Sequence, residues 1–150
     1  MELALFRRNL DKKKVRQEFL DKGSYEFPFI NPQHQCHKYR FGYFTKKQKK
    51  EIFFTGIARV DMENLNSQIY DFGRGYFCSE PVFIPQPGHR YSPWTGQEPG
   101  WLLTEVYDSE NQKTLLAVFK ADRISDGPLA RADLNQTIPL GFHGFWHPHH

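Results

Sequence analysis

The residues of this sequence best suited to chemistry are its histidines, because an imidazole can bind a metal or move a proton near neutral pH. The chain has seven histidines: His34, His37, His89, His143, His147, His149 and His150. His34 and His37 flank Cys36 at a spacing that fits no zinc-binding pattern, so a polar surface loop is the preferred interpretation. The histidines at the C-terminus are interpreted as a frayed tail.

His143 differs from the others because glycines and large apolar residues surround it, in the stretch IPLGFHGFW over residues 138–146. Its immediate sequence favours a core histidine bonded to the backbone over a functional one. No nucleophile elbow, phosphate-binding loop or Ser–His–Asp order accompanies it. No carboxylate pair indicates glycosidase chemistry either, so residue types taken singly do not define a reaction.

The elements that must position these side chains are β-strands, because apolar residues recur almost entirely with a period of two. Two such runs, 101–108 and 113–120, are joined by four polar residues and predict a β-hairpin. A second hairpin is predicted from the run 39–44 to a strand that begins at Ile52. The lysine-rich stretch 45–50 would be its solvated tip.

Five further short strands complete the prediction. They are expected at Leu3–Arg8, Val15–Leu20, Gln68–Phe72, Pro81–Pro85 and Leu129–Leu134. The one helical candidate, residues 120–124, is a single turn at most. Short strands separated by proline and glycine are typical of sandwiches, barrels and propellers, so the sequence predicts an all-β chain. A length of 150 residues suits a single domain over 1–150.

Composition limits the classes of function. The net charge is +3 with 25% charged residues, and the basic residues are interleaved with acids, so no nucleic-acid partner is expected. Two cysteines outside any CxxC pair exclude a disulfide scaffold and suit a reducing compartment. No run approaches the ~18 apolar residues of a membrane span, and the first residues do not form a signal peptide. A cytoplasmic location is expected, with membrane association as the alternative.

A loose recurrence links two acidic residues. A strand, a polar turn and a strand are followed by a proline-rich loop, once around 28–33 and again around 81–99. The recurrence places Glu26 and Glu80 at comparable positions, each directly ahead of a proline-bearing segment.

Three ordered stretches carry a family resemblance. They are YEFPFIN at 25–31, SEPVFIP at 79–85 followed by GWLL and VYD, and GPLAR at 127–131 closing with residues 138–146. Together they resemble the C-terminal region of the carotenoid cleavage oxygenases, the family that also holds the apocarotenoid oxygenases and the retinal-epithelium isomerase. The resemblance covers nearly the whole chain.

The resemblance implies a fold and a metal site. The family is a seven-bladed β-propeller whose axial non-haem iron, Fe(2+), is held by four histidines from four blades, so this chain would be a partial β-propeller. By resemblance, His143 matches the last iron ligand. Glu26 and Glu80 match carboxylates that hydrogen-bond the outer nitrogens of iron-bound histidines. His34, His37 and His89 do not lie in matching motifs, so the iron role is not carried over to them. The resemblance places the other three iron histidines in earlier blades, and no catalytic residue is assigned in this chain.

The function implied is cleavage of a polyene C=C bond by O2 in a carotenoid or apocarotenoid substrate. With one iron histidine, the isolated chain is expected to be inactive and to need an N-terminal half chain that supplies the missing blades. The alternative is a non-catalytic β-module that binds an apolar ligand or a partner chain. A third possibility is a decayed gene product without a function.

Overall fold

The structure is a computed structural model that describes residues 3–9, 11–21, 23–48, 51–89 and 98–147. Its strands are β1 (Leu3–Asn9), β2 (Lys14–Asp21), β3 (Ser24–Phe29), β4 (Phe41–Lys47), β5 (Gly56–Asp61), β6 (Ser67–Asp71), β7 (Tyr76–Cys78), β8 (Val82–Pro85), β9 (Gly100–Asp108), β10 (Lys113–Lys120) and β11 (Ala130–Leu134). Two 3₁₀ turns, Pro32–His34 and Ile124–Asp126, are the helical elements of these ranges, and neither is long or apolar enough to span a membrane. The predicted all-β class is confirmed.

The described strands form three antiparallel sheets. β1 and β2 pair with each other, and β3, β4, β5 and β6 form a four-stranded sheet in that order. The third sheet has the order β11, β10, β9, and two short strands share the far side of β9. There β7 pairs with the C-terminal part of β9 and β8 with its N-terminal part. This shared edge is therefore interrupted between β7 and β8.

The predicted hairpin of β9 and β10 is present, with Lys113 opposite Asp108 at the turn. Alternate residues of β9 are buried, as the period of two requires. The turn forms where it does because the Asp108 carboxylate accepts hydrogen bonds from the backbone N–H groups of Glu110 and Asn111, at 3.0 and 3.1 Å. A side chain that replaces the missing backbone partners in this way stabilises a tight turn.

The main hydrophobic core lies between the four-stranded sheet of β3–β6 and the third sheet, which contains β7–β11. Its buried members include Phe41, Tyr43, Ile57, Phe83, Leu102, Val106, Phe119 and Ile124. Tyr43 of β4 and Phe83 of β8 are fully buried, with ring centroids 5.3 Å apart. Burying one such side chain stabilises the fold by about 1.5–3 kcal/mol, so this contact fixes the two sheets against each other.

The predicted second hairpin exists, but both of its boundaries were wrong. β4 continues to Lys47, and β5 begins at Gly56 rather than at Ile52, which is 83% exposed. The backbone just before β5 pairs with other elements: the carbonyls of residues 54 and 55 accept hydrogen bonds from Cys78 and Phe72, at 2.9 and 2.8 Å. Residues 49 and 50 of the predicted tip lie outside the described ranges.

Two strands escaped the sequence prediction, and the helical turn was displaced. β3 contains Pro28, which cannot donate a ladder hydrogen bond and therefore argued against a strand. β7 has only three residues, too few for a visible alternation. The turn expected at 120–124 lies instead at Ile124–Asp126.

Candidate functional site

Glu80 lies at the interruption of the edge strand beside β9. β7 ends at Cys78, opposite Val106, and β8 begins at Val82, opposite Leu103. Residues 79–81 of the edge therefore lie opposite only two residues of β9, 104 and 105. An extra residue of this kind breaks the alternation of side chains and turns one of them in a new direction.

The interruption is fixed by hydrogen bonds between β9 and Ser79. The Ser79 N–H donates to the Glu105 carbonyl at 2.9 Å, and its carbonyl accepts from the buried Thr104 hydroxyl at 2.8 Å. Pro81 has no N–H group, so the broken ladder leaves no donor unpaired at that residue. The geometry leaves the Glu80 side chain only 6% exposed.

His143 is the partner of the Glu80 carboxylate. The His143 Nδ1 atom lies 2.9 Å from Glu80 Oε2, and the Gly144 backbone N–H donates to Glu80 Oε1 at 2.7 Å. The two oxygens of one carboxylate thus bind two consecutive residues, His143 and Gly144. The His143 side chain is 76% exposed, so it is not the core histidine that its local sequence favours.

The segment that carries His143 has no regular secondary structure, so it depends on anchors. The first anchor is Thr114 of β10, whose hydroxyl accepts a hydrogen bond from the Ile138 N–H at 2.9 Å. The Thr137 hydroxyl also donates to the Gln112 carbonyl at 2.6 Å. Glu80 is the second anchor, and the imidazole is therefore placed by a side chain from another strand.

The contact determines which nitrogen of His143 is available. A carboxylate only accepts hydrogen bonds, so Nδ1 carries the proton that bridges the pair, and in the neutral imidazole the lone pair is then on Nε2. A carboxylate–imidazole pair of this kind fixes the tautomer and makes the free nitrogen a better metal donor. The arrangement suits one metal ligand.

Glu26, the third predicted site residue, is not brought to the imidazole. It lies in β3 opposite Thr45, whose hydroxyl donates to the Glu26 carbonyl at 3.1 Å. Within the described ranges no hydrogen bond joins its carboxylate to His143. The next residue, Phe27, contacts the His143 ring instead, with centroids 5.9 Å apart. Like Glu80, Glu26 directly precedes a break in the register of an edge strand.

Two apolar pockets adjoin this site. One, of about 210 Å³, is lined by Glu80, Val82, Leu103, Leu116, His143 and Trp146 among others. The second, of about 350 Å³, is lined mainly by aromatic rings, among them Phe27, Phe53, Phe54, Phe77 and Phe142. Phe142 borders both pockets and is 77% exposed. The surroundings of His143 therefore suit an apolar molecule or an apolar protein surface.

The structure contains a second polar cluster, around His34, that the sequence analysis did not predict. His34 was expected in a surface loop, and that prediction was wrong. His34 is 2% exposed, and its Nε2 atom lies 3.1 Å from Glu98 Oε1. The Tyr43 hydroxyl donates to Glu98 Oε2 at 2.8 Å. Cys36 and His37, which follow the 3₁₀ turn, are exposed as expected. The sequence carries no local signal for this cluster because its members come from three separate segments.

Burial governs the protonation of the second cluster. It raises the pKa of Glu98 to about 7, opposed by the Tyr43 hydrogen bond and the charge of Arg59. Burial lowers the pKa of His34, and the charge of His37 adds to that effect. Burial also raises the pKa of Tyr43 well above 10, and Glu98 reinforces it. These pKa shifts favour the uncharged forms of Glu98, His34 and Tyr43.

The residues present fit one part of an iron site and not a whole one. In the described part of the chain no group of three or more His, Cys, Asp and Glu side chains could hold a metal ion. His143 supplies a single imidazole nitrogen with its carboxylate support. Any complete metal centre must therefore take its other ligands from outside these residues.

Comparison with solved structures defines the class of this fold. The chain superposes on cobalt-substituted Synechocystis ACO with a TM-score of 0.88 and 26% identity, covering 97% of this chain and 30% of that chain. The match confirms the predicted partial β-propeller of the carotenoid oxygenase type. The family model for retinal pigment epithelial membrane protein matches residues 1–148, and the chain belongs to that family.

Curated relatives are enzymes of carotenoid cleavage. The apocarotenoid-15,15'-oxygenase of Synechocystis sp. is 27% identical over 88% of this chain. The carotenoid 9,10(9',10')-cleavage dioxygenase 1 of Phaseolus vulgaris is 31% identical over 97% of this chain. The chain spans 26% and 28% of the lengths of these two relatives.

Proposed function

We propose that this chain is the C-terminal part of a non-haem Fe(II) carotenoid or apocarotenoid cleavage dioxygenase. The whole protein would cleave a polyene C=C bond with O2, so that each alkene carbon becomes a carbonyl carbon. The observation that carries the proposal is the 2.9 Å contact between His143 Nδ1 and Glu80 Oε2, in a chain of this family. Residues 1–150 would act as one unit of that larger fold.

In this proposal His143 binds iron through Nε2, and Glu80 holds the imidazole in the required tautomer. The iron, when bound, would supply the site at which O2 and the polyene react. Glu26 would support a different iron-bound histidine, one contributed from outside this chain, because none of the described histidines forms a hydrogen bond with its carboxylate. The chain itself orients one ligand and offers an apolar surface around it.

The proposed substrate is a carotenoid or apocarotenoid, and the two pockets beside His143 support this class. Their linings are mostly apolar, and aromatic rings dominate the larger one. A polyene has no polar groups along its conjugated chain, so apolar side chains are the expected contacts. A cytoplasmic location stays a prediction, since relatives include a chloroplastic enzyme of Oryza sativa and a mitochondrial one of Pongo abelii.

The isolated chain would be inactive, because one imidazole nitrogen gives too few donors for tight Fe(II) binding. The partner required is an N-terminal half chain that supplies three histidines and the remaining blades. Purified residues 1–150 are therefore expected to carry substoichiometric iron and to leave an apocarotenoid uncleaved. Stoichiometric iron that survives dialysis, with turnover, would contradict this part of the proposal.

A chimera tests the ligand role. Residues 1–150 would replace the matching segment of the Synechocystis apocarotenoid-15,15'-oxygenase, which supplies the other blades. His143→Gln should abolish iron retention and cleavage, and Glu80→Gln should weaken iron affinity by about 10- to 100-fold. His37→Gln is the matched control, because His37 is exposed and should change neither property. Full iron content and activity in His143→Gln would refute the assignment.

The alternative function is a non-catalytic β-module that binds an apolar ligand or a partner chain. The observation that favours it is the aromatic pocket of about 350 Å³, which needs no metal to bind an apolar molecule. Titrating the isolated chain with an apocarotenoid, followed by quenching of tryptophan fluorescence, would separate the two functions. If the isolated chain binds the apocarotenoid and the chimera fails to retain iron, the non-catalytic module is favoured.

A further inference from the structure

We propose that Phe27 is a positioning residue that sets the orientation of the His143 imidazole. The inference rests on the proposed function, because it assumes that the direction of His143 Nε2 matters for a metal. It starts from a backbone irregularity. Phe27 has φ of +50°, in the left-handed region that side-chain-bearing residues rarely adopt.

The irregularity is a β-bulge between β3 and β4. Glu26 pairs with Thr45 and Phe29 pairs with Tyr43, so Phe27 and Pro28 together face one residue of β4. A bulge with its first residue in the left-handed conformation redirects the side chain at that position. Unusual backbone of this kind persists where the surrounding structure holds it, and it is concentrated at functional sites.

The redirected ring turns toward the site rather than into the core. Phe27 is half-buried and is not among the residues packed against either buried cluster. Its ring instead meets three rings edge to face: Phe54 at 5.7 Å, Phe142 at 6.4 Å and His143 at 5.9 Å. Phe54 supports Phe27 from the core side, since it packs on the main core.

The hydrogen bond to Glu80 is not sufficient to orient the imidazole. Small coupled changes in the two side-chain torsions of this exposed residue can tilt the ring while Nδ1 stays within hydrogen-bond distance of Glu80 Oε2. The contact with Phe27, with ring planes at 81°, acts on another edge of the ring and restricts that tilt. Glu80 therefore selects the tautomer of His143, and Phe27 selects the direction of Nε2.

The test is the order of the His143 ring in the 150-residue chain without metal. In protein labelled with ¹³C and ¹⁵N at histidine, His143→Gln identifies the His143 signals. Nitrogen shifts at pH 8 report the tautomer, and ¹³C relaxation of the ring C–H bonds reports the order parameter. Wild type should show the Nδ1–H tautomer, NOEs between the Phe27 and His143 rings, and an order parameter near ~0.85.

The variants separate orientation from general packing. Phe27→Leu should lower the ring order parameter below ~0.6 while the Nδ1–H tautomer persists. Phe53→Leu is the matched control, since Phe53 lines the same aromatic pocket but its ring contacts Phe77 and not Phe27 or His143. Phe27→Tyr should restore the order. Unchanged order in Phe27→Leu, an equal loss in Phe53→Leu, or absent ring NOEs in wild type would overturn the positioning role. A wild-type Nε2–H tautomer would instead overturn the proposed function, and the positioning role with it.

Discussion

Replacing Glu98 by glutamine should stabilise this protein at alkaline pH. The Glu98 side chain is fully buried, with the Tyr43 hydroxyl at 2.8 Å and His34 Nε2 at 3.1 Å. A glutamine amide can replace a protonated carboxyl group here, because its oxygen can accept from the Tyr43 hydroxyl and its NH₂ would lie beside His34 Nε2, where Glu98 Oε1 makes a close contact but no hydrogen bond. It cannot ionise, so it avoids the cost of a buried carboxylate.

The magnitude follows from the pKa of Glu98, which burial raises from 4.5 to about 7. Because the folded pKa is the higher one, the stability due to the protonated group is complete below pH ~4.5 and is lost as the pH rises through ~7. Each unit of difference between the folded and unfolded pKa corresponds to about 1.4 kcal/mol, so up to about 3 kcal/mol is lost. Burial lowers the pKa of His34, whose contribution is lost in the opposite direction, as the pH falls below ~6.5. Both proteins contain His34, so their difference reports Glu98.

The assay is urea unfolding of wild type and Glu98→Gln at pH 5 and pH 8.5, followed by tryptophan fluorescence. The wild type should have lost less than ~1 kcal/mol at pH 5, and the advantage of the variant should be about 1–3 kcal/mol larger at pH 8.5 than at pH 5. Glu110→Gln is the control, because Glu110 is exposed in the turn between β9 and β10. If Glu98→Gln is the less stable protein at pH 8.5, the buried carboxylate is charged and paired, and the reasoning fails.

Two further predictions concern buried atoms. Cys36 is exposed and should react with Ellman's reagent in the native protein. Cys78 is buried and burial raises the pKa of its thiol, so it should react only after unfolding. Two rapidly reacting thiols in the native protein would contradict this prediction. Gly56→Ala should lower stability by at least about 1 kcal/mol, because a Cβ there would lie 2.5 Å from the Tyr70 carbonyl oxygen. Gly141→Ala, with open space at its Cβ, should lie within about 0.5 kcal/mol of wild type in thermal unfolding.

The strands that the sequence predicts well are those with long alternation and a capped turn. β9 and β10 satisfy both conditions, and their register is the predicted one. β3 was missed because Pro28 and the bulge at Phe27 interrupt the pattern that reveals a strand. The start of β5 was misplaced because apolar residues 52–54 continue its alternation, although the backbone carbonyls of residues 54 and 55 accept hydrogen bonds from Cys78 and Phe72. The alternation of apolar residues indicates where a strand could form. Where the strand begins and ends depends on which neighbouring strand its backbone pairs with.

The site was less predictable than the fold, for a physical reason. Nothing near His143 in the sequence distinguishes a core histidine from a ligand, and only the family resemblance indicated Glu80 as its partner. His34 was assigned to a surface loop because its neighbours are polar, yet it is buried with its Nε2 3.1 Å from Glu98 Oε1. In both cases the deciding partner is a side chain from a distant segment, which local residue types do not reveal.

The interruption between β7 and β8 explains how an exposed imidazole on an irregular segment can still be held in position. Binding to a partner costs less when the binding groups are already held in position. Glu80 holds Gly144 N–H and His143 Nδ1 at once, so the irregular segment is fixed before any metal or partner arrives. The same carboxylate is 6% exposed and the imidazole 76%, which keeps the support buried and leaves the imidazole accessible. Under the proposed function, such a half-site would need only the remaining ligands from its partner, because Glu80 and Phe27 already restrict its imidazole.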